Sequence, residues 1–186
     1  QIRKLFVGFA NKLRLETVAF FRRVGKYDLA AWLFIGAVGV YLITRLIGLD
    51  RYPVYFFTDE AIQTQSIVDL IKLDYRDTEG VFLPTYFANG EYRNLSLSVY
   101  LQWLPLLLFG KSAIVTRTTS VLITLIAAIS VGVILRDFFK IKYWWTATLF
   151  LSITPSWFLH SRTAFETAEF TAFYAGTLCA YLFYRY

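Results

Sequence analysis

Two adjacent carboxylates, Asp59 and Glu60, are the residues of this sequence whose types and spacing first suggest chemistry. They follow Thr58, a favourable helix N-cap, and precede apolar residues at helical spacing. The pair is therefore predicted to lie in the first turn of a helix, where negative charge is stabilising. A carboxylate there can accept a proton from a hydroxyl group, or the pair can ligate a divalent cation. Simple capping of the helix is the alternative.

A second set of polar residues is predicted to lie at the same level of the molecule, close to the ends of long apolar runs. Its members are Arg93, Arg117, His160, Arg162, Glu166 and Glu169. Charged groups at such positions usually face protein or a water-filled cavity. Because arginine binds phosphate oxygens bidentately, acids and arginines together suit a phosphate-bearing substrate and a hydroxyl acceptor. The alternative is a set of buried ion pairs that only orient helices.

Two further residues are less informative at this stage. Arg45 lies one turn from the end of an apolar run, where it either extends to lipid headgroups or contributes to a site. His160 is the sole histidine, and it is more typical of packing near an interface than of a metal site, which needs several ligands.

The elements that must position these residues are apolar helices. The chain has 186 residues, of which 57% are hydrophobic and 19% aromatic, and its mean hydropathy is +0.50. This composition predicts an integral membrane protein rather than a soluble domain. The single cysteine, Cys179, excludes a disulfide within the chain. The lack of methionine and the end inside an apolar segment lead us to expect a part of a longer protein.

Apolar runs at 29–49, 113–135, 143–160 and 164–185 are predicted to be four transmembrane helices. Residues 1–28 are basic and residues 50–93 are acidic, which places the N-terminus in the cytoplasm and the loop 50–112 outside. The net charge of +6 therefore reflects topology and contact with anionic lipids. Nucleic acid is not expected as a partner, because the basic residues flank apolar segments.

Three further helices are predicted outside these spans. Residues 1–28 form an amphipathic helix on the cytoplasmic surface, or alternatively a helix that binds a partner protein. The outer loop carries juxtamembrane helices at 58–74 and 95–109. The segment 95–109 reaches only about 22 Å as a helix, short of the ~30 Å hydrocarbon core, so we favour a surface position over a span. The predicted fold class is an all-α integral membrane protein.

Several stretches resemble a known family when taken in order. They are YFFTDEAIQTQSIVDLI, EYRNLSLSVYLQWLPLLLFG, SAIVTRTTSVLITL and ITPSWFLHSRTAFETAEF. Over about residues 29–184 the chain resembles the N-terminal part of membrane glycosyltransferases with the GT-C fold. It is most similar to protein O-mannosyltransferases and to the aminoarabinose transferases that modify lipid A. The Asp-Glu pair is the most specific element of this resemblance.

The resemblance implies a glycosyltransferase that takes a sugar from a polyprenyl-phosphate-linked donor. The acceptor is a hydroxyl group of a protein, lipid or glycan on the extracytoplasmic side, more typically of a bacterial cytoplasmic membrane than of the endoplasmic reticulum. It assigns Asp59 as the general base, Glu60 as a positioning group and Arg117 as support for the pair. Arg93, Arg162 and Glu166 would bind the donor phosphate or support the site. Arg93 lacks the Pro-Pro pair that follows the corresponding basic residue in relatives.

Two alternatives remain open from the sequence. A divalent metal bound by Asp59 and Glu60 would replace purely acid–base chemistry, as in some members of the wider fold; otherwise no cofactor is expected. A non-enzymatic membrane subunit or a transporter fragment would use the same charges as structural pairs or along a substrate path. The apolar inner halves of the predicted spans favour a site on one side only.

Overall fold

The structure, a computed structural model, describes residues 29–89 and 92–186, and the predicted amphipathic helix over 1–28 lies outside them. The described part is mostly helical, as predicted. Its elements in chain order are α1 (Leu29–Leu46), α2 (Thr58–Lys72), β1 (Tyr86–Asn89), β2 (Tyr92–Leu95), α3 (Ser96–Phe109), α4 (Ala113–Asp137), α5 (Trp145–Ile153), α6 (Pro155–His160) and α7 (Glu166–Arg185).

Two of these helices, α1 and α4, are long and apolar enough to cross a membrane by length and composition. Helix α4 packs along α7, and α1 packs against α4 and α5. Glycines permit the closest approaches. A Cβ atom at Gly132 would lie 2.7 Å from a ring carbon of Phe34, and one at Gly176 would lie 2.8 Å from a methyl carbon of Ile126. Small residues thus let the helices of this bundle approach closely.

The segment 143–160 differs from the predicted single span. It forms two helices, α5 and α6, that meet at Thr154 and Pro155. Thr154 has an extended backbone (φ −66°, ψ 119°), because the proline ring disfavours a helical conformation of the residue before it. Helix α5 has 9 residues and is about 14 Å long, which is less than half of a hydrocarbon core.

The outer loop also departs from the all-α prediction, because strands β1 and β2 form an antiparallel hairpin. Its register pairs Tyr86 with Leu95 and Phe87 with Asn94. Phe87 and Asn94 are both buried, so the hairpin turns one face towards the protein interior. Aromatic residues such as Tyr86, Phe87 and Tyr92 favour strands over helices, which explains the difference.

Helices α2 and α3 occupy the places predicted for the two juxtamembrane helices, and they share a small core with the hairpin. The core residues are Ile67, Leu70, Phe87, Val99 and Leu106. A buried polar chain fixes α2 further: Gln102 of α3 donates to Gln63 (3.2 Å), and the hydroxyls of Thr64 and Thr116 lie 2.9 Å apart. The N-terminal half of α2 is thereby held at the end of the bundle where α4 begins.

Candidate functional site

Glu60 is fully buried in the first turn of α2, and its carboxylate accepts four hydrogen bonds. Oε1 accepts from Arg117 Nε (3.1 Å) and from the backbone N–H of Ala164 (2.9 Å). Oε2 accepts from Arg117 Nη2 (3.0 Å) and from the backbone N–H of Phe57 (3.1 Å). A carboxylate has about four acceptor sites, so these contacts leave none for a substrate proton.

Arg117, in α4, completes this arrangement and is equally saturated. Besides its two bonds to Glu60, it donates to the carbonyl oxygens of Leu49 (3.2 Å), Pro53 (3.0 Å) and Tyr55 (2.7 Å). Its side chain is 2% exposed. A guanidinium group has five N–H donors, and here all five have a partner in the protein. The residue therefore holds the segment 49–55 against α2 and α4.

Arg162 has the same role at the end of α1. It donates to the carbonyl oxygens of Thr44 (2.6 Å), Arg45 (2.9 Å), Ile47 (3.0 Å) and Tyr52 (2.9 Å). A helix leaves its last carbonyls unpaired, and a positive charge there is stabilising, so Arg162 caps α1. Burial, and then the positive charge of Arg117, lower the pKa of Arg162.

Arg45 is fully buried, so it does not extend to the surface. Its N–H groups donate to Ser161 Oγ (3.0 Å) and to the carbonyl oxygens of Ser152 (2.6 Å) and Leu151 (2.6 Å). The guanidinium carbon lies 4.1 Å from the centre of the Tyr41 ring. Arg45 thus joins α1 to α5 and to the turn after α6.

We call Arg45, Arg117, Arg162 and Glu60 the arginine network. Its guanidinium groups bind backbone carbonyls of the protein, and they present no free array of N–H donors to a phosphate. This geometry corresponds to the structural alternative, in which buried charges orient helices and loops. Arg117 binds Glu60 of the acidic pair, and Arg162 binds backbone carbonyls; contact of either residue with a donor phosphate stays a prediction.

Asp59 has the opposite environment from its neighbour. Its side chain is exposed, and within residues 29–89 and 92–186 it makes no hydrogen bond or ion pair. It lines an open cleft of about 470 Å³ between α2, the hairpin and the start of α7. We call this the Asp59 cleft, and its lining residues are Asp59, Gln63, Asn89, Tyr92, Arg93, Asn94, Phe165, Glu166 and Thr167.

Two other predicted site residues, Arg93 and Glu166, lie in the same cleft. Arg93 forms an ion pair with Glu79 (2.9 Å) in which both side chains are about half exposed. Glu166 accepts a hydrogen bond from the backbone N–H of Leu95 (2.8 Å), which ties the start of α7 to the end of the hairpin. The cleft therefore combines two carboxylates with one cation that is held only by a surface ion pair.

Two buried polar groups near this region have no hydrogen-bond partner among the described residues. They are the amide nitrogen of Asn94 and the carboxylate of Glu169, both of whose oxygens are unpaired. Asn94 is 6% exposed and Glu169 is 2% exposed. An unpaired buried polar group costs about 1–3 kcal/mol. The sequence predicted Glu169 to belong to this region, whereas Asn94 was not singled out.

A metal ion between Asp59 and Glu60 would need free carboxylate oxygens on both residues. Both oxygens of Glu60 are already occupied, so Asp59 and Glu60 do not offer a pair of free carboxylates. Within the described ranges no group of three or more His, Cys, Asp or Glu residues is arranged to hold a metal ion. His160 is exposed and packs near the Phe165 ring, with 6.1 Å between ring centres.

A second concavity lies at the other end of α2. This aromatic groove has a volume of about 560 Å³ and is lined by Leu70, Tyr75, Phe82, Leu83, Tyr100 and Trp103. Tyr75 and Leu83 have positive φ angles of 62° and 45°, which are uncommon for residues other than glycine. Leu83 N–H donates to the Tyr75 carbonyl (2.9 Å), so the backbone is held in this strained form.

The structure thus separates the predicted site residues into two groups at one end of the bundle. Asp59, Arg93 and Glu166 line an open cleft, and Glu60, Arg117 and Arg162 are buried beneath it. Comparison of the chain with known proteins gave no match to a family model, to a curated protein or to a solved structure.

Proposed function

We propose that this chain transfers a sugar from a polyprenyl-phosphate-linked donor to a hydroxyl acceptor, with Asp59 as the general base. The observation that carries the proposal is the contrast between two adjacent carboxylates. Glu60 is saturated and buried, whereas Asp59 is unpaired among the described residues and faces the cleft. A group that must accept a proton from a substrate needs this kind of access.

The reaction is an inverting displacement. The acceptor oxygen attacks the anomeric carbon of the sugar, and the bond from that carbon to the phosphate oxygen breaks. Asp59 takes the proton of the attacking hydroxyl, and the lipid phosphate leaves with the electron pair of the broken bond. Proton transfer to a positioned carboxylate contributes typically about 10²–10⁴-fold to such a rate.

Arg93 is the cation that this cleft offers to the leaving phosphate. Its present partner, Glu79, is half exposed, and exposed ion pairs contribute at most about 1 kcal/mol. A phosphate can therefore replace Glu79 at little cost. Arg117 and Arg162 support the site differently, because they fix the segment that leads into α2 and thereby position Asp59.

The lipid part of the donor fits the second concavity. The aromatic groove is lined almost wholly by apolar side chains and begins at Leu70, eleven residues along α2 from Asp59. That separation is about 16 Å at 1.5 Å per residue, a distance that an isoprenoid chain spans easily. With α1 and α4 as spanning helices, the proposal places both concavities at the extracytoplasmic surface of a multi-pass membrane protein.

The test is sugar transfer by the full-length protein in nanodiscs with a panel of polyprenyl-phosphate sugars. Asp59→Asn should reduce acceptor-dependent donor consumption by about 100-fold or more while the thermal unfolding midpoint stays unchanged. Asp69→Asn is the matched control, because Asp69 lies on the same helix outside the Asp59 cleft. Equal consumption by wild type and Asp59→Asn would exclude Asp59 as the base.

The saturation of the arginine network favours a second candidate, a non-enzymatic membrane subunit whose charges are structural. That function predicts that neither the wild type nor Asp59→Asn consumes any donor of the panel, although both remain folded. It further predicts that Asp59→Asn has the same thermal unfolding midpoint as the wild type, whereas Glu60→Gln lowers it.

A further inference from the structure

Apart from Arg93, the lining of the Asp59 cleft suits a neutral, hydroxyl-rich group. Its cation, Arg93, is at the exposed rim and is paired with Glu79. Its other polar groups are carboxylates, hydroxyls and carboxamides, among them the carboxamides of Asn89 and Asn94. Carboxamides both donate and accept hydrogen bonds, which matches hydroxyl groups, since these do the same. The cleft therefore has the chemistry of a polyol or sugar site.

Asn94 is the most informative of these groups. Its Oδ1 accepts a hydrogen bond from Asn89 Nδ2 (3.1 Å), while its own Nδ2 has no partner among the described residues. If the carboxamides of Asn89 and Asn94 were both turned over, Asn94 Nδ2 would donate to Asn89 and its oxygen would be unpaired instead, so one polar end of Asn94 lacks a partner in either assignment. Only 6% of the surface of Asn94 is exposed, and the residue lines the cleft.

The position of Asn94 in the hairpin explains why this group is directed inwards. Strand β2 pairs Asn94 with Phe87 of β1, and both residues face the interior. An apolar residue at position 94 would extend the core around Phe87 and would remove the unpaired nitrogen, at the loss of the bond from the part-buried Asn89 Nδ2. An asparagine here makes physical sense if a ligand in the cleft supplies the missing partner.

Phe165 provides the apolar surface that a sugar ring also needs. It lines the cleft directly before Glu166, and its ring packs against Phe57 with 5.2 Å between ring centres. Phe57 is the residue whose backbone N–H is bound by Glu60. The apolar wall of the cleft is thus fixed by the arginine network, while Asn94 is fixed by the hairpin.

We propose that Asn94 determines sugar specificity by forming a hydrogen bond with one ring hydroxyl of a sugar whose apolar face packs on Phe165. A rotation of the carboxamide about its Cβ–Cγ bond brings the unpaired end to the ligand. The inference rests on the proposed function for the identity of the ligand. The sugar belongs to the donor or to a glycan acceptor, and the recognised chemistry is the same in both.

The experiment measures binding separately from transfer. Farnesyl-phosphate-linked glucose, galactose and mannose, with their monodeoxy analogues, are titrated against the full-length protein in nanodiscs, with farnesyl phosphate as reference. Free methyl glycosides of the same sugars represent the acceptor. The variants are Asn94→Ala and the shape-conserving Asn94→Asp. Tyr86→Ala is the matched control, since Tyr86 is an exposed residue of the same hairpin that lies outside the cleft.

We expect one sugar to bind tighter than farnesyl phosphate alone, and both Asn94 variants to lose about tenfold in affinity for it. One monodeoxy analogue should show the same loss with wild type and no further loss with Asn94→Ala. Tyr86→Ala should bind within about twofold of wild type. If the losses occur with methyl glycosides and not with farnesyl-linked sugars, the hydroxyl belongs to the acceptor.

Two results would overturn the inference. One is that folded Asn94→Ala binds every sugar as the wild type does; the other is that no sugar in either form binds better than its reference. The proposed function is judged independently by transfer. If sugar binding depends on Asn94 but no sugar is transferred, the proposed function is refuted and the proposed role of Asn94 stands. If sugar is transferred and the Asn94 variants bind and transfer it as the wild type does, the proposed function stands and the role of Asn94 is refuted.

Discussion

Asp59 and Glu60 are neighbours in the chain, yet their side chains belong to regions of opposite character. Glu60 belongs to the arginine network, in which its carboxylate oxygens and the N–H groups of Arg117 are all hydrogen-bonded within the protein. Asp59 lines the cleft, where its own carboxylate and the amide nitrogen of Asn94 lack partners among the described residues. The two regions therefore lie on different sides of the first turn of α2.

The comparison shows that residue type alone does not identify a reactive group. Arginines and carboxylates occur in both regions, and their burial and hydrogen bonding differ. A saturated, buried ion pair is costly to disrupt and has nothing to offer a substrate. A buried group with an unpaired polar atom, such as Asn94, costs stability in the empty protein but becomes paired when a ligand binds. Substitutions should therefore affect stability in one region and ligand binding in the other.

The largest expected effect on stability is from Glu60→Ala. It leaves Arg117 as a buried charge without its counter-ion, and breaking such a pair typically costs about 3–5 kcal/mol. The thermal unfolding midpoint in detergent should fall strongly, and transfer should fall with the folded fraction. Asp59→Ala is the adjacent control, with a midpoint close to that of the wild type. Similar midpoints for the two variants would contradict the division between the regions.

A smaller loss is expected from Arg117→Lys, which keeps the charge but not the planar set of five donors. Lysine has three donors, so at least two of the contacts with Glu60 and with the carbonyls of Leu49, Pro53 and Tyr55 are lost. At the lower figure for a hydrogen bond of a charged group, about 1.5 kcal/mol, the loss of two bonds should lower the free energy of unfolding by about 3 kcal/mol.

Chemical denaturation measures that loss, and hydrogen exchange of the backbone N–H groups over 49–57 locates it. Unchanged protection of this segment in Arg117→Lys would mean that the guanidinium group does not hold it. Arg51→Lys serves as control, since Arg51 is exposed and lies in the same segment.

The smallest effect on stability is expected from Arg93→Gln. Its ion pair with Glu79 is half exposed, and such pairs contribute at most about 1 kcal/mol. The KM for the lipid-linked donor should nevertheless rise about tenfold, because a charge-assisted bond to phosphate is lost. Glu79→Gln should instead leave the KM unchanged or lower it, since it frees Arg93. A rise in KM with Glu79→Gln would argue against a phosphate at this position.

The sequence predicted which end of the molecule carries the charged residues, because that followed from their positions at the ends of apolar runs. Asp59, Glu60, Arg117 and Arg162 indeed lie at one end of the bundle. What each guanidinium group binds was not predictable. Most of its partners are backbone carbonyl oxygens, either at the end of α1 and in the segment that follows it or in α5, and any residue type can supply a carbonyl.

The hairpin and the broken segment after α4 had sequence signals of their own. Gly90 stands at the first of the two positions that separate YFAN from YRNL, and a glycine there favours a tight hairpin. Pro155 stands inside the apolar run 143–160, where a proline usually ends a helix. Asn94 had no signal, since its importance depends on the register that pairs it with Phe87.

The long reach of the arginine network has a consequence for the order of biosynthetic assembly. Carbonyl oxygens of 44–55 are paired by residues that follow about 60 to 120 positions later in the chain: Arg117 binds Tyr55 across 62 residues, and Arg162 binds Thr44 across 118. The segment that leads into α2 therefore leaves the ribosome long before its partners do. Its carbonyl oxygens are hydrated until α4 and the turn before α7 have been synthesised. Contacts between residues so far apart in the sequence form late and slowly. The cleft therefore reaches its final structure only after the helices have been inserted. In a ribosome-stalled chain that ends before residue 162, the segment 44–55 should be accessible to a protease.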